Sequence, residues 1–199
     1  MKNILTLLCF FFLSVSSYSQ EYEKNISGNV IIEGSFNASV KINPGTMYLY
    51  ELKGNDEYIS DSTLVKGNSF SFKNKSFQTG VYRIAFNNST NSLDIVINPR
   101  ESNKISVKLN NYRISKGYNI PNSIENKIKK LYTTKESSIT QKIKLLKKSS
   151  KTRDVKLAEM KSLQMELFKY GLSLHNQNPG TYFGMILSHM HSKHHNVSH

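Results

Sequence analysis

Short segments of alternating apolar and polar residues recur from Ile26 to Leu109, and this pattern constrains the fold more than any other feature of the sequence. Turn-forming residues separate the segments at intervals of about 8 to 12 residues, which is typical of a β-sandwich or barrel. In residues 69–72, for example, the alternation places Phe70 and Phe72 on one face of a strand. The connections are too short for crossover helices, so we expect about seven strands in antiparallel arrangement. The predicted strands are residues 26–32, 47–52, 58–65, 69–72, 81–86, 93–97 and 104–109.

The spacing of apolar residues changes from strand-like to helical after Pro121. Asn122 and Ser123 are residue types that favour the N-cap of a helix. Glu125 lies three residues beyond Asn122, as in a capping box. A helix is therefore predicted to begin directly after Pro121.

Apolar residues form amphipathic stripes along the rest of the chain. A serine pair at 149–150 interrupts the stripes, and an Asn-Pro pair marks a new start, with Pro179 suited to the first helical position. The stripes do not keep a strict heptad, so packing within the chain is favoured over an intermolecular coiled coil. We therefore expect an α+β chain: an antiparallel β-sandwich of about seven strands at residues 20–115, then two or three amphipathic helices and a histidine-rich tail at residues 116–199.

Residues 1–19 have the order of a cleavable secretory signal peptide. Lys2 supplies a positive start, residues 4–15 are a mostly apolar run, and Ser17 and Ser19 provide the small residues that precede a cleavage site. As a helix the run spans about 18 Å, against roughly 30 Å for a bilayer core, which disfavours the alternative of an uncleaved membrane anchor. We expect cleavage near Ser19, a periplasmic or secreted protein, and no transmembrane segment in the mature chain.

Cys9 is the only cysteine, and it lies inside the apolar run. A lipid-modified cysteine normally follows a small residue at the end of such a run, whereas Cys9 lies between Leu8 and Phe10, so we interpret it as an apolar part of the signal. The mature chain then has no cysteine. It cannot form a disulfide, perform thiol exchange or build a cysteine-ligated zinc site.

The chain has a formal net charge of +13, and its basic residues are concentrated in the predicted helices. Between residues 125 and 161 there are twelve lysines or arginines and four acidic residues. One interpretation is an anionic partner, which would be nucleic acid, a polyanionic glycan or an anionic membrane surface. The other is a solvated lysine-rich helix surface, which we favour because basic charge alone indicates solubility and association. Export makes nucleic acid an unsuitable partner, so none is predicted.

The C-terminal histidines are the densest group of metal-ligating side chains in the sequence. His189, His191, His194 and His195 are the candidate ligands for zinc, copper or nickel, and His199 follows them. A dedicated site also needs fixed geometry and supporting hydrogen bonds, and the tail contains no carboxylate that would complete the ligand set. We therefore predict no dedicated metal site and no cofactor.

No catalytic motif is present, because the sequence lacks a phosphate-binding glycine loop, a His-Glu-x-x-His helix and a nucleophile elbow. Asp56, Glu57, Asp61 and Asp94 fall in the strand region, but their spacing singles out no acid–base pair. The strand aromatics form either a sugar-binding platform or core and cross-strand pairs, and the second is favoured at alternating positions. These aromatics are Tyr48, Tyr50, Phe70, Phe72, Tyr82 and Phe86.

Several short segments follow one another in a recognisable order, at residues 26–30, 47–50, 59–63, 67–72, 80–84, 115–117 and 178–182. In this order they resemble a known bacterial module, catalogued as domain of unknown function 4369. The resemblance covers most of residues 24 to 190. It implies a signal peptide, a β-sandwich and a helical spacer, followed in such proteins by a periplasmic thioredoxin-like domain of the disulfide-reductase type.

This chain departs from that family where the redox chemistry would lie. The family places a Cys-x-x-Cys motif in the C-terminal domain, and no position here matches it, so no active-site residue is carried over. We expect a stand-alone or truncated accessory module: an exported, non-enzymatic protein that binds an envelope partner. The alternatives are an envelope protein that binds carbohydrate or peptide, and a metal-handling protein that uses the C-terminal histidines.

Overall fold

The computed structural model describes residues 27–87 and 90–195, with the backbone alone at residues 74, 75 and 191–195; the predicted signal peptide lies outside these residues. Strands come first and helices follow, so the predicted α+β class is confirmed. The strands are β1 (Ser27–Phe36), β2 (Thr46–Lys53), β3 (Asp56–Leu64), β4 (Ser69–Gln78), β5 (Gly80–Phe86), β6 (Ser92–Ile97), β7 (Lys104–Leu109) and β8 (Tyr118–Asn119). The helices are α1 (Ile124–Lys148), α2 (Arg153–Gln177) and α3 (Tyr182–His195). The chain divides into two compact units, one ending at Lys127 and one beginning at Ile128.

Two four-stranded sheets form the first unit. Sheet A has the strand order β4-β1-β7-β8, and sheet B has the order β3-β2-β5-β6. Alternate residues of both sheets point into one shared core, because period-two alternation turns every second side chain inward. The core includes Ile32, Phe72 and Ile105 from sheet A and Leu49, Ile84 and Ile95 from sheet B.

One strand pair differs from the predicted antiparallel arrangement. β1 pairs with β4 antiparallel, as expected, but it pairs with β7 in parallel. The prediction considered only consecutive strands, whose connections are too short for parallel pairing. β1 and β7 are separated by four strands of sheet B and by β4, and this long excursion brings the chain back in the parallel direction.

A tight turn joins β3 and β4, in the gap between the predicted strands at residues 58–65 and 69–72. Lys66 and Ser69 make the closing bridge, with backbone hydrogen bonds of 2.9 and 3.1 Å. Gly67 has a φ of 60°, a left-handed conformation that glycine adopts without steric cost. The glycine therefore allows the chain to pass from sheet B to sheet A in a short turn.

The cap of α1 is one residue later than predicted. Helix α1 has Ser123 as its N-cap, because the Ser123 hydroxyl accepts the backbone N–H of Asn126 at 3.1 Å. The Asn122 side chain instead accepts a hydrogen bond from the backbone N–H of Ser106 in β7 at 3.0 Å, so it does not cap the helix. The predicted capping box with Glu125 is wrong, since the amide of Asn98 donates to the Glu125 carboxylate at 2.8 Å.

A carboxylate from the strand region binds the first turn of α1. Glu101 accepts hydrogen bonds from the Ser123 hydroxyl at 2.8 Å, from the backbone N–H of Glu125 at 3.1 Å, and from that of Ile124. Burial raises the pKa of Glu101, and these hydrogen bonds oppose the rise. A negative charge at this position also stabilises the positive end of the helix dipole.

The side chain of Asn126 completes the outer edge of β6. Its Oδ1 accepts the Val96 N–H at 2.8 Å, and its Nδ2 donates to the Val96 carbonyl at 2.7 Å and to the Ser123 hydroxyl at 2.8 Å. Asn126 is 3% exposed and Val96 is fully buried. The Asn126 amide therefore makes the two hydrogen bonds to Val96 that a residue of a further strand would make.

The second unit is helical, and its first two apolar stripes face each other. Ile139, Ile143 and Leu146 of α1 form a core with Met160 of α2, and Leu163 and Leu167 pack against it. The predicted packing within the chain is confirmed, and the coiled-coil alternative is not needed.

The last helix starts later than predicted. Pro179 lies in the turn before it, and the Thr181 hydroxyl accepts the Gly184 N–H at 3.2 Å as the N-cap. The predicted position of Pro179 within the first helical turn is therefore wrong.

Candidate functional site

A groove of about 690 Å³ lies on the outer face of sheet A. It follows from the same alternation that builds the core, because residues between the buried positions of β1, β4 and β7 point outward. In the first half of β4 the buried residues are Phe70 and Phe72, and the outward residues are Ser69, Ser71 and Lys73. The volume is within the range of ligand-binding clefts. We call this feature the sheet A groove.

Strand register places the polar side chains of the groove in rows across three strands. Ser35 of β1 lies opposite Ser69 of β4 on one side and Lys108 of β7 on the other. In the next row Glu33 has Ser71 and Ser106 as its neighbours. Adjacent strands are about 4.8 Å apart, so these side chains form a continuous polar floor.

Three lysines surround that floor. Lys66, Lys73 and Lys108 line the groove, and in the described part of the chain none of their ammonium groups forms an ion pair. Glu33 is the one carboxylate among the lining residues, and Lys104 lies 2.8 Å from it. The groove therefore has an excess of positive charge that the described residues do not neutralise.

A hydroxyl of the groove floor is unsatisfied. The Ser71 Oγ is buried and has no hydrogen-bond partner among the described residues. A buried hydroxyl without a partner typically costs about 1 to 3 kcal/mol, so such groups are rare in folded proteins. A ligand that hydrogen-bonds to this atom would remove the cost.

Replacement of Ser71 by alanine should not destabilise the fold. The variant removes an unsatisfied hydroxyl, so we expect its free energy of unfolding to be equal to or up to about 1 kcal/mol above that of the parent. Chemical denaturation followed by circular dichroism measures this. A loss of more than about 1 kcal/mol would show that the hydroxyl already has a structural partner.

Two of the candidate carboxylates bind one arginine on sheet B. Arg83 Nε donates to Asp94 Oδ1 at 2.7 Å and Nη2 to Oδ2 at 3.1 Å, while Nη1 pairs with Glu57. Hydrogen bonding to Asp94 raises the pKa of Arg83, and burial opposes the rise. Glu57 and Asp94 are therefore held as acceptors for a fixed cation, and the other two candidates, Asp56 and Asp61, lie on β3.

Four of the six strand aromatics are core residues. Phe70, Phe72 and Tyr82 belong to the core, and Phe86 packs against it. Tyr48 and Tyr50 lie outside that core on the same strand, with ring centroids 6.3 Å apart. The interpretation as core residues is therefore supported for the first four, and for Tyr48 and Tyr50 it stays a prediction.

The structure does not test the prediction that the C-terminal histidines form no dedicated metal site. His189 is exposed, and its Nδ1 lies 3.0 Å from the Met185 carbonyl oxygen. Helix α3 continues to His195, but the side chains of His191, His194 and His195, and the whole of His199, lie outside the described residues. Within the described residues no three His, Asp or Glu side chains are grouped as a metal site.

Comparison of this chain with family models, curated proteins and solved structures finds no match. The resemblance to the bacterial module therefore stays a prediction. Among the helices that the structure describes, none combines the length and the apolar character needed to cross a bilayer.

Proposed function

We propose that this chain is an exported, non-enzymatic binding module of the cell envelope, and that the sheet A groove holds an anionic glycan. The groove carries this proposal. Three lysines that form no ion pair with any described residue surround a floor of serine hydroxyls, and one of those hydroxyls has no hydrogen-bond partner in the same part of the chain. Lysines attract carboxylate, sulfate or phosphate groups, and hydroxyls both donate to and accept from sugar hydroxyls. The signal-like order of residues 1–19 supports a periplasmic or secreted location.

A glycan fits the groove better than an acidic peptide does. The floor lies on the face of the sheet, where β1 has β4 and β7 as partners on both sides. Its main-chain groups are therefore engaged in the ladders and do not face a ligand. An extended peptide is recognised largely through main-chain hydrogen bonds, whereas a glycan is recognised by side-chain charges and hydroxyls.

Charge reversal in the groove should weaken binding of a sulfated glycan. We expect the double substitution Lys73→Glu with Lys108→Glu to lower the affinity for heparin at least about tenfold, because it replaces attraction by repulsion at two sides of the floor. The matched control is Lys116→Glu with Lys148→Glu, which changes the net charge equally at two exposed positions outside the groove. Isothermal titration at physiological salt measures both, since lower salt exaggerates surface attraction.

Four further outcomes would contradict the proposal. Equal weakening in both double variants would mean that heparin senses only the overall charge. Neutral dextran bound as tightly as heparin would exclude an anionic ligand, and polyglutamate bound more tightly would indicate an acidic peptide instead. Turnover of insulin disulfides by the purified chain would contradict a non-enzymatic role.

A further inference from the structure

The two sheets have four outer edges among the described residues, and three of them are protected. β8 is two residues long, and the Asn126 amide occupies β6 at Val96. β4 carries lysines at 73 and 75, which are typical of edges that must not pair with another chain. β3 is nine residues long and contains neither lysine nor proline.

The first half of β3 exposes large side chains beside an open backbone edge. Tyr58 is 53% exposed and Ile59 is 61% exposed. The ladder with β2 changes register after Ile59, and beyond this point the Ser62 N–H is bound by the Asp61 carboxylate at 2.7 Å. The available segment is therefore Asp56–Ile59, which we call the open β3 edge.

The charge of β3 is opposite to that of the chain. β3 contains Asp56, Glu57 and Asp61 and no basic residue, in a protein with 27 lysines and arginines and 14 acidic residues. Lys53, which lies opposite Asp56 in β2, is paired with Glu51 at 3.1 Å. A partner strand with basic residues is therefore favoured, and a second copy that pairs β3 with β3 would place acidic residues against each other.

At this edge each face of β3 carries one carboxylate and one apolar side chain. Side chains two residues apart share a face, so Glu57 lies with Ile59 and Asp56 lies with Tyr58. Glu57 is paired with Arg83 but stays 44% exposed, whereas Asp56 forms no ion pair among the described residues. An added strand would meet this pattern with a basic and an apolar residue on each of its own sides.

We infer that the open β3 edge binds an extended basic and apolar segment of a partner protein by strand addition. The main-chain groups of the edge supply the hydrogen bonds, and the alternating carboxylates and apolar side chains select the sequence. The open β3 edge shares no residue with the sheet A groove, although Thr63 and Leu64 of the same strand line that groove. Either proposal can therefore fail without the other.

A synthetic peptide tests the inference on the full chain. The probe has about eight residues, the length of an ordinary strand, and repeats the pattern lysine-lysine-valine-valine. We expect saturable binding with slowed amide hydrogen exchange in residues 56–59. A version methylated on every backbone nitrogen keeps the side chains but cannot donate main-chain hydrogen bonds, and a version with glutamate in place of lysine reverses the charge. Both should bind at least about tenfold more weakly.

Matched lysine substitutions locate the site. Ile59→Lys adds a protective charge to the edge and should weaken peptide binding at least about tenfold. Leu145→Lys makes the same change at a position of similar exposure, 63% against 61%, on α1, and should leave binding unchanged. Equal binding of the methylated or the glutamate peptide, equal effects of the two substitutions, or a dimer lost in Ile59→Lys would each overturn the inference.

Discussion

Replacement of Asn126 by alanine is expected to lower the free energy of unfolding by about 2 to 4 kcal/mol, because it leaves two buried main-chain groups without partners. The amide bonds both the N–H and the carbonyl of Val96, at 2.8 and 2.7 Å. Val96 is fully buried, so water does not replace these bonds. Asn126→Asp keeps the acceptor but turns the donor toward Val96 into a second carboxylate oxygen, so a comparable loss is expected.

Denaturant unfolding with site-resolved hydrogen exchange tests this expectation. The Val96 amide should exchange faster in Asn126→Ala, whereas in Asn126→Asp a carboxylate oxygen still accepts its hydrogen. Asn119→Ala is the control, since Asn119 is an exposed asparagine of the same unit and its loss should cost less than about 0.5 kcal/mol. Equal stability of Asn126→Ala and the parent would mean that the edge of β6 does not depend on this side chain.

Replacement of Gly34 by alanine is expected to cost about 3 kcal/mol, because there is no room for a Cβ atom. The added carbon would lie 1.9 Å from Cζ of Phe70 and 2.1 Å from its Cε1. Phe70 is 4% exposed and packs against Phe36 and Phe72, with ring centroids 6.2 and 5.8 Å away. The ring therefore cannot move without disturbing two other aromatic contacts.

A double-mutant cycle identifies the cause of this loss. Phe70→Leu removes the ring atoms that the new carbon would contact, so the double variant should lose at least about 1 kcal/mol less than the sum of the single losses. Gly80→Ala is the control in another strand, since its Cβ would meet only Tyr82 Cε2 at an ordinary 3.6 Å. Additive losses would show that the ring is not what excludes a side chain at Gly34.

The local part of the fold was predictable from the sequence. Alternation marked the seven longer strands, and β8 was missed because two residues cannot show a period. The parallel pairing of β1 with β7 was not predictable, since it depends on how distant segments are ordered in the sheet. Asn122 and Ser123 are both good N-cap residues, and only the contact of Asn122 with Ser106 decides between them.

The sequence indicated which side chains of β4 face the candidate site, but not which other strands lie beside them. The alternation in residues 69–73 already placed Ser69, Ser71 and Lys73 opposite the core phenylalanines. Serine and lysine are common in this chain, so their presence on one strand carried no signal by itself. The groove arises because β1 and β7 place Ser35, Ser106 and Lys108 beside the residues of β4. This arrangement depends on the order of the strands in sheet A, which the sequence does not reveal.

The parallel pair of β1 and β7 also sets when the first unit can fold. β1 is an inner strand of sheet A, and its second neighbour is β7, which begins at Lys104. As the chain emerges, β1 must wait until residues 104–109 are also available, and contacts between such distant segments form slowly because a long loop must be closed first. The strand region is therefore expected to remain unfolded, with β1 lacking this partner, until most of the unit is available.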